Sequence, residues 1–145
     1  MRELPRQLTA DELAGLFEGR TRFVERLAGH EHPLEAADEL IASVPEDELV
    51  EALAAHPQIG ARHLSSRSAA EQGEHADPVV ETELAYLNQV YEEKFGFRFV
   101  VFVAGRPKAE ILDVLRARLE RDRDEGLRAA AGELVAIARD RWEHS

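Results

Sequence analysis

The sequence predicts an all-α fold, a single-domain bundle of about seven to eight helices spanning 1–145, on three observations. Apolar residues recur at spacings of three and four along nearly the whole chain. Start signals, a capping side chain followed by acidic residues or proline, stand before most of those stripes. The one short extended segment, near 97–103, has no second strand-like stretch to pair with, and a lone strand is not stable. A length of 145 residues suffices for one core and is short for two.

The elements follow in order. Thr9, with Asp11 and Glu12 behind it, opens a first helix whose apolar face is Leu13, Leu16 and Phe17. Phe23, Val24 and Leu27 form a second, which "GHEHP" ends, and Leu34, Ala37, Leu40 and Ile41 form a third. Ser43-Val44-Pro45-Glu46 opens a fourth, carrying Leu49, Val50 and Leu53; it stops at His56-Pro57, because proline disfavours helix in the residue before it. Ser68-Ala69-Ala70-Glu71 fits a capping box and predicts a short fifth. Asp77-Pro78 starts a long sixth with Val80, Leu84, Leu87 and Tyr91 on one face, ending near Phe95-Gly96. The last two begin near Pro107, with Ile111, Leu112, Leu115 and Leu119, and near Asp124, with Leu127, Ala131, Leu134 and Ala138. Between the sixth and seventh, "FGFRFVVFVAG" is dense in aromatic and β-branched residues. It reads either as a buried connector or as backbone whose N–H and C=O groups, unpaired by any ladder, are open to a ligand.

Composition narrows the function. With 44% hydrophobic and 32% charged residues the chain is that of a globular protein. Lys plus Arg number 18 against 29 Asp plus Glu, a net charge of −11. That charge would repel a phosphate backbone and argues against a nucleic-acid partner, while local arginines leave a small anionic substrate open. The absence of cysteine excludes disulfides, thiolate metal sites and a cysteine nucleophile. "MRELPRQLTADEL" has no apolar signal core, no stretch approaches the roughly 18 apolar residues of a membrane span, and "RWEHS" is no peroxisomal tripeptide. A cytoplasmic location with no membrane contact is the expectation.

His56 is the first candidate for chemistry. An imidazole before proline sits at a helix corner, and with an ordinary pKa of about 6.5 it is the natural proton donor or acceptor near neutrality; the plainer alternative is a residue that merely ends the helix. Glu71 either returns a capping hydrogen bond to Ser68 or, with Gln72, fixes a heterocycle bearing amide edges. Arg141 prolongs the stripe 127, 131, 134, 138, so its guanidinium either snorkels past the core edge or meets an anion in a pocket. His30, His32, His56, His63 and His75 show no ligand spacing, so no metal is expected. Ser65, Ser66 and Ser68 lie near His63 without a nucleophile elbow. The two lysines, Lys94 and Lys108, stand in polar settings, which argues against Schiff-base chemistry.

"HPQIG", "SAAEQ", "LNQVYEEKFGFRFVVFVAGRPKAEIL" and "RARLERDRDEGLRAAAGELVAIARDR" stand in the order seen in the 2-oxo-4-hydroxy-4-carboxy-5-ureidoimidazoline (OHCU) decarboxylases, which the chain resembles from about Leu13 to Trp142. Each motif is weak alone; four in order are specific. The resemblance implies an all-α homodimer that needs neither metal nor organic cofactor and converts a purine-derived small molecule to (S)-allantoin, the last step of urate oxidation. It implies His56 and Glu71 as catalytic, and Pro57, Ser68, Gln72, Arg141 and the stretch Phe99, Val100, Val101, Phe102 and Val103 as substrate-binding. Three departures stand out. Glu18 is kept but the Ser-Pro-Trp that usually follows is missing, Arg98 replaces a proline, and Gly73-Glu74 replaces Ala-Gly.

The residue set suits such a reaction. A substrate that can hold the electrons left by CO₂ in its own π-system needs only orientation, charge stabilisation and a proton. Gln72 and the 99–103 backbone would orient the ring. Arg141 and backbone N–H groups would stabilise charge, about 3 kcal/mol per donor, and His56 with Glu71 would move protons, typically about 10²–10⁴-fold. The departures at Arg98 and Gly73 keep open a decarboxylase or lyase for a related ureido or imidazoline acid. A non-catalytic helical ligand-binding module is the reading from a different class.

Overall fold

The structure, a computed structural model, describes residues 3–57 and 77–144. They form seven helices and no strand: α1 (Ala10–Phe17), α2 (Arg22–Ala28), α3 (Pro33–Ser43), α4 (Glu46–Ala55), α5 (Pro78–Phe95), α6 (Lys108–Leu119) and α7 (Arg123–Glu143). The expected short helix at Ser68–Glu71 lies outside the described residues. Among those described, no helix is long and apolar enough to cross a membrane.

Local chemistry sets the boundaries. Thr9 caps α1 in a reciprocal box, accepting from the Glu12 N–H at 3.1 Å while its own N–H donates to the Glu12 carboxylate at 3.0 Å. Asp77 accepts from the Val79 N–H at 2.8 Å, Pro78 occupies the first position of α5, and Gly96 ends that helix at φ +79, where a Cβ would be strained. Ser43 does not open α4 as the sequence suggests. Its hydroxyl donates back to the Leu40 carbonyl and it closes α3, while Pro45 is the N-cap of α4. The turn holds only Val44 and Pro45 between two helices, which leaves Ser43 on the earlier one.

α7 is the axis on which α1, α3 and α4 pack; α2 lies against α1, α3 and α4, and α5 pairs with α6. The side of α7 facing inward is Leu127, Ala130, Ala131, Leu134, Val135, Ile137 and Ala138, all buried. Alanines between the larger residues let neighbouring helices approach. Each fully buried Leu contributes roughly 1.5–3 kcal/mol. Exposed ion pairs such as Arg20–Asp11, with side chains 55% and 84% accessible, are worth about 1 kcal/mol or less, so the apolar interior carries the fold.

Two stripes differ from expectation in the same way. On α6 the buried position after Leu115 is Arg118, and Leu119 is only partly covered. On α5 Asn88 is buried where the sequence suggests Leu87, and Val80 and Leu87 are partly covered. Each polar side chain finds a backbone carbonyl: Arg118 Nη1 reaches Val100 at 3.1 Å, and Asn88 Nδ2 reaches Leu84 at 2.9 Å. Lys108 also departs from the polar setting expected of it, being buried with Nζ 3.2 Å from Glu81.

The 97–103 stretch is an extended connector that pairs with no strand among the described residues. Phe97 and Phe99 meet Tyr91 edge-on at centroid distances of 5.5 and 5.3 Å, and Phe95 stacks on Phe97 at 5.7 Å. α7 closes over this cluster at Gly126, where a Cβ would stand 3.8 Å from both Phe97 Cζ and Tyr91 Oη. Burial pushes the Tyr91 hydroxyl pKa above its ordinary value, an effect that the neighbouring Arg118 charge partly offsets.

Candidate active site

α4 delivers His56. Proline at 57 has no N–H to extend the helix, so His56 becomes its C-cap in an extended conformation, φ −86 and ψ 135, with its N–H donating to the Leu53 carbonyl at 3.1 Å. The side chain turns inward: the residue is 7% exposed, with Pro57 half-buried beside it. The corner expected from the His-Pro pair is therefore present, and the imidazole belongs to the interior.

α7 brings Arg141 to the same end of the molecule, against the end of α1. After Phe17 the chain takes a left-handed step at Glu18, φ +66, and Gly19 passes so close to α4 that a Cβ there would lie 3.0 Å from the Ala55 Cβ. Glu18 meets Arg141 Nη2 at 3.0 Å, and Arg141 Nη1 donates to the Leu16 carbonyl at 3.0 Å. Arg141 is 4% exposed. It does not snorkel; it meets an anion, and the anion is internal. The link Arg141–Glu18–Gly19–Ala55 leads to the residue next to His56, so the ends of α1, α4 and α7 converge. Of the N-terminal family pattern, the carboxylate that was kept, Glu18, is the one paired with the buried guanidinium.

The third component is the extended stretch. Phe99, Val100, Val101 and Val103 are buried and Phe102 partly so. Its carbonyls are held from outside by arginines. Arg118 donates to Val100; Arg106 donates from Nη2 to Phe102 at 2.5 Å and from Nε to Val103 at 3.0 Å. Among the described residues, no backbone carbonyl accepts from the N–H groups of 99–103. The three carbonyls named are anchored as in a structural connector.

Arg118 itself is buried, bonded to Glu133 at 3.0 Å and lying 5.4 Å from the Phe99 ring centroid; burial draws its pKa below the usual arginine range, with Glu133 opposing. Sequence reasoning missed it. The available signal was its position three residues after Leu115, the argument already applied to Arg141. Arg98 was read as a departure in the binding stretch, yet its side chain leaves that stretch. Nη1 donates to the His56 carbonyl at 2.7 Å and to Ala54 at 3.0 Å, and Nε donates to Glu92 at 3.1 Å.

Ser68, Glu71 and Gln72, with His63, His75 and the Gly73-Glu74 departure, lie outside the described residues. Among the described ones, no three metal-ligating side chains cluster, and His30 and His32 are exposed. A cleft of about 260 Å³ lined by Val50, Ala54, Glu92, Gly96, Phe97 and Arg98 adjoins the His56 corner. A larger hollow of about 520 Å³ runs along Gln7–Thr9 and Ala28–Glu31 and is bordered by none of the expected site residues, so its size gives it no claim on the chemistry.

With this geometry in place, known proteins supply the context. A family model described as OHCU decarboxylase matches residues 2–143. The chain is 26% identical to the uric acid degradation bifunctional protein PucL of Bacillus subtilis, over 97% of its own length and 31% of that relative. It is 36% identical to the uric acid degradation bifunctional protein TTL of Arabidopsis thaliana, over 61% of its length and 30% of that protein. It therefore spans about a third of these curated relatives. A crystal structure of OHCU decarboxylase in the presence of (S)-allantoin superposes with a TM-score of 0.73 at 28% identity, covering 88% of this chain and 92% of that one. The helical architecture, the family match along the chain and the His-Pro corner agree: this chain belongs to the OHCU decarboxylase family.

Proposed function

We propose that the chain decarboxylates 2-oxo-4-hydroxy-4-carboxy-5-ureidoimidazoline to (S)-allantoin, closing the oxidation of urate, without metal or organic cofactor, as a cytoplasmic homodimer. The observation that carries the reading is the buried imidazole of His56 at a proline-stopped helix end, in a fold that overlays 92% of an OHCU decarboxylase solved with (S)-allantoin.

The residues divide the work as follows. Breaking the bond to the carboxylate releases CO₂ and passes the electron pair into the adjoining ring π-system, and a proton then adds to one face of the ring. His56 and Glu71 handle that proton and the substrate hydroxyl. The N–H groups of 99–103 and the Gln72 amide hold the ring's acceptor and amide edges, with Ser68 and Pro57 against it. Arg141 supplies positive charge at the substrate carboxylate. Because Glu18 already neutralises part of that charge, Arg141 acts as a fixed, preoriented donor rather than a mobile one. Arg98 does not favour a different substrate, since its described bonds go to α4 and α5.

The test forms the substrate in situ from urate with urate oxidase and hydroxyisourate hydrolase and follows circular dichroism. The chain should produce (S)-allantoin well ahead of the spontaneous racemic product, and His56→Ala should lose about 10²-fold or more of that rate. Allantoin appearing no faster than in the enzyme-free control would overturn the assignment. Binding of allantoin without turnover would favour the ligand-binding module.

A further inference from the structure

We propose that Arg98 is a positioning residue for His56, fixing the carbonyl of the His56–Pro57 peptide and with it the direction in which the imidazole leaves α4. The proposal rests on the reading of His56 given above and adds a residue to it.

The argument begins at the helix end. A helix leaves its last carbonyls without partners of its own, and a following proline removes the N–H that would have served one of them. Here Arg98 takes up two carbonyls of that end at once, Ala54 at 3.0 Å and His56 at 2.7 Å from the same Nη1. The His56 N–H is held by its own helix through Leu53 at 3.1 Å, which restrains φ. Its carbonyl is held by a side chain 42 positions away, which restrains ψ at 135. With both backbone torsions restrained, the Cα–Cβ bond points one way and the ring has only its own rotamers to choose from.

Glu92 fixes the guanidinium in turn. Its carboxylate accepts from Nε at 3.1 Å from the last turn of α5, so the fork is gripped at both ends. Arg98 also immediately precedes Phe99. One side chain therefore ties the imidazole corner to the start of the 99–103 stretch, and it sets the spacing between them. The residue is chemically suited to this: lysine has no fork, and methionine has the length without the donors.

The experiment compares wild type with Arg98→Met, Arg98→Lys and Glu92→Gln. It reads kcat and KM on the substrate made in situ, the thermal midpoint, and the ¹H–¹⁵N signals of the His56 ring, assigned with His56→Ala. Arg98→Met should keep its fold and lower kcat between about tenfold and about a hundredfold, as a displaced catalytic group does. KM should stay within about twofold, because ground-state binding is elsewhere. The ring signals should shift or broaden. Arg98→Lys should recover part of kcat, and Glu92→Gln should fall between wild type and Arg98→Met. A lower thermal midpoint with unchanged kcat and unchanged ring signals would overturn the proposal and leave Arg98 as a helix cap only. Should Arg98→Met fail to fold, Arg98→Lys and Glu92→Gln decide by the same readings. Should wild type show no turnover, the decarboxylase reading fails, and the ring signals still decide whether Arg98 orients His56.

Discussion

Around α7, the surfaces shared with α1, α3 and α4 are rows of Leu, Ile, Val and Ala that meet by shape. Around the 97–103 stretch, the interior holds Tyr91 and Arg118 among its aromatics, Arg106 reaches in from the side, and Arg98 reaches out to the end of α4. The first region buries helices whose backbone groups are already satisfied. The second buries an extended segment that forms no ladder among the described residues and whose carbonyls take donors from side chains. Apolar packing tolerates exchange at constant volume, whereas a carbonyl held by one guanidinium does not. The candidate site lies at the seam, where the ends of α1, α4 and α7 meet the arginine-held stretch.

The contrast can be broken from either side. The largest stability effect is expected from Leu134→Ala in the α7 row, a loss of about 2–5 kcal/mol by denaturant unfolding. Turnover per folded molecule should be unchanged; a fall in kcat would show that the two regions are not separable. Arg118→Met should cost less, about 1–3 kcal/mol for the unpaired Val100 carbonyl and Glu133, but it should impair substrate binding, seen as a raised KM. An unaltered KM would remove the 99–103 stretch from the site.

Gly19→Ala tests the seam. The added methyl would lie 3.0 Å from the Ala55 Cβ on a helix with little room to yield, so about 1 kcal/mol of strain and a measurable fall in kcat are expected. A silent substitution would separate the α1 turn from the His56 corner.

The smallest effect is pH-dependent. The Arg26 guanidinium, bonded at 2.6 and 2.7 Å, holds the Glu48 carboxyl below its usual range. A depressed carboxylate contributes stability above its unfolded pKa of about 4.3 and loses it as pH falls through the lower folded value. Glu48→Gln should therefore lower stability near neutrality and flatten the acid limb of the unfolding curve. An acid limb as steep as that of wild type would remove Glu48 from the balance.

Most of the helical architecture was legible because its causes are local. Thr9 with Glu12, Asp77 with Pro78, and His56 with Pro57 are interactions between near neighbours, and three- and four-residue spacing marks the buried face whatever the face then meets. Ser43 was misread because only Val44 and Pro45 separate two helices, and a cap signal beside so short a turn does not say which helix it serves. Arg118 and Asn88 were missed because hydropathy assigns a polar residue outward unless a partner is known. The candidate site was legible in part: His56 as a corner and Arg141 as a stripe residue were visible, but the Glu18 carboxylate facing Arg141 was not.

The sequence by itself determined where helices begin and stop, which of their faces are apolar, and that His56 stands before a proline. Only the tertiary structure decided where the guanidiniums go: Arg98 to the carbonyl of His56, Arg118 to Val100, and Arg141 to Glu18 and to Leu16, 125 positions away. The physical reason is reach. Capping and helical periodicity act within about four residues and are therefore written in consecutive letters. An arginine ends in a fork several bonds from its backbone, and its partner is whichever carbonyl or carboxylate the packed helices bring to it.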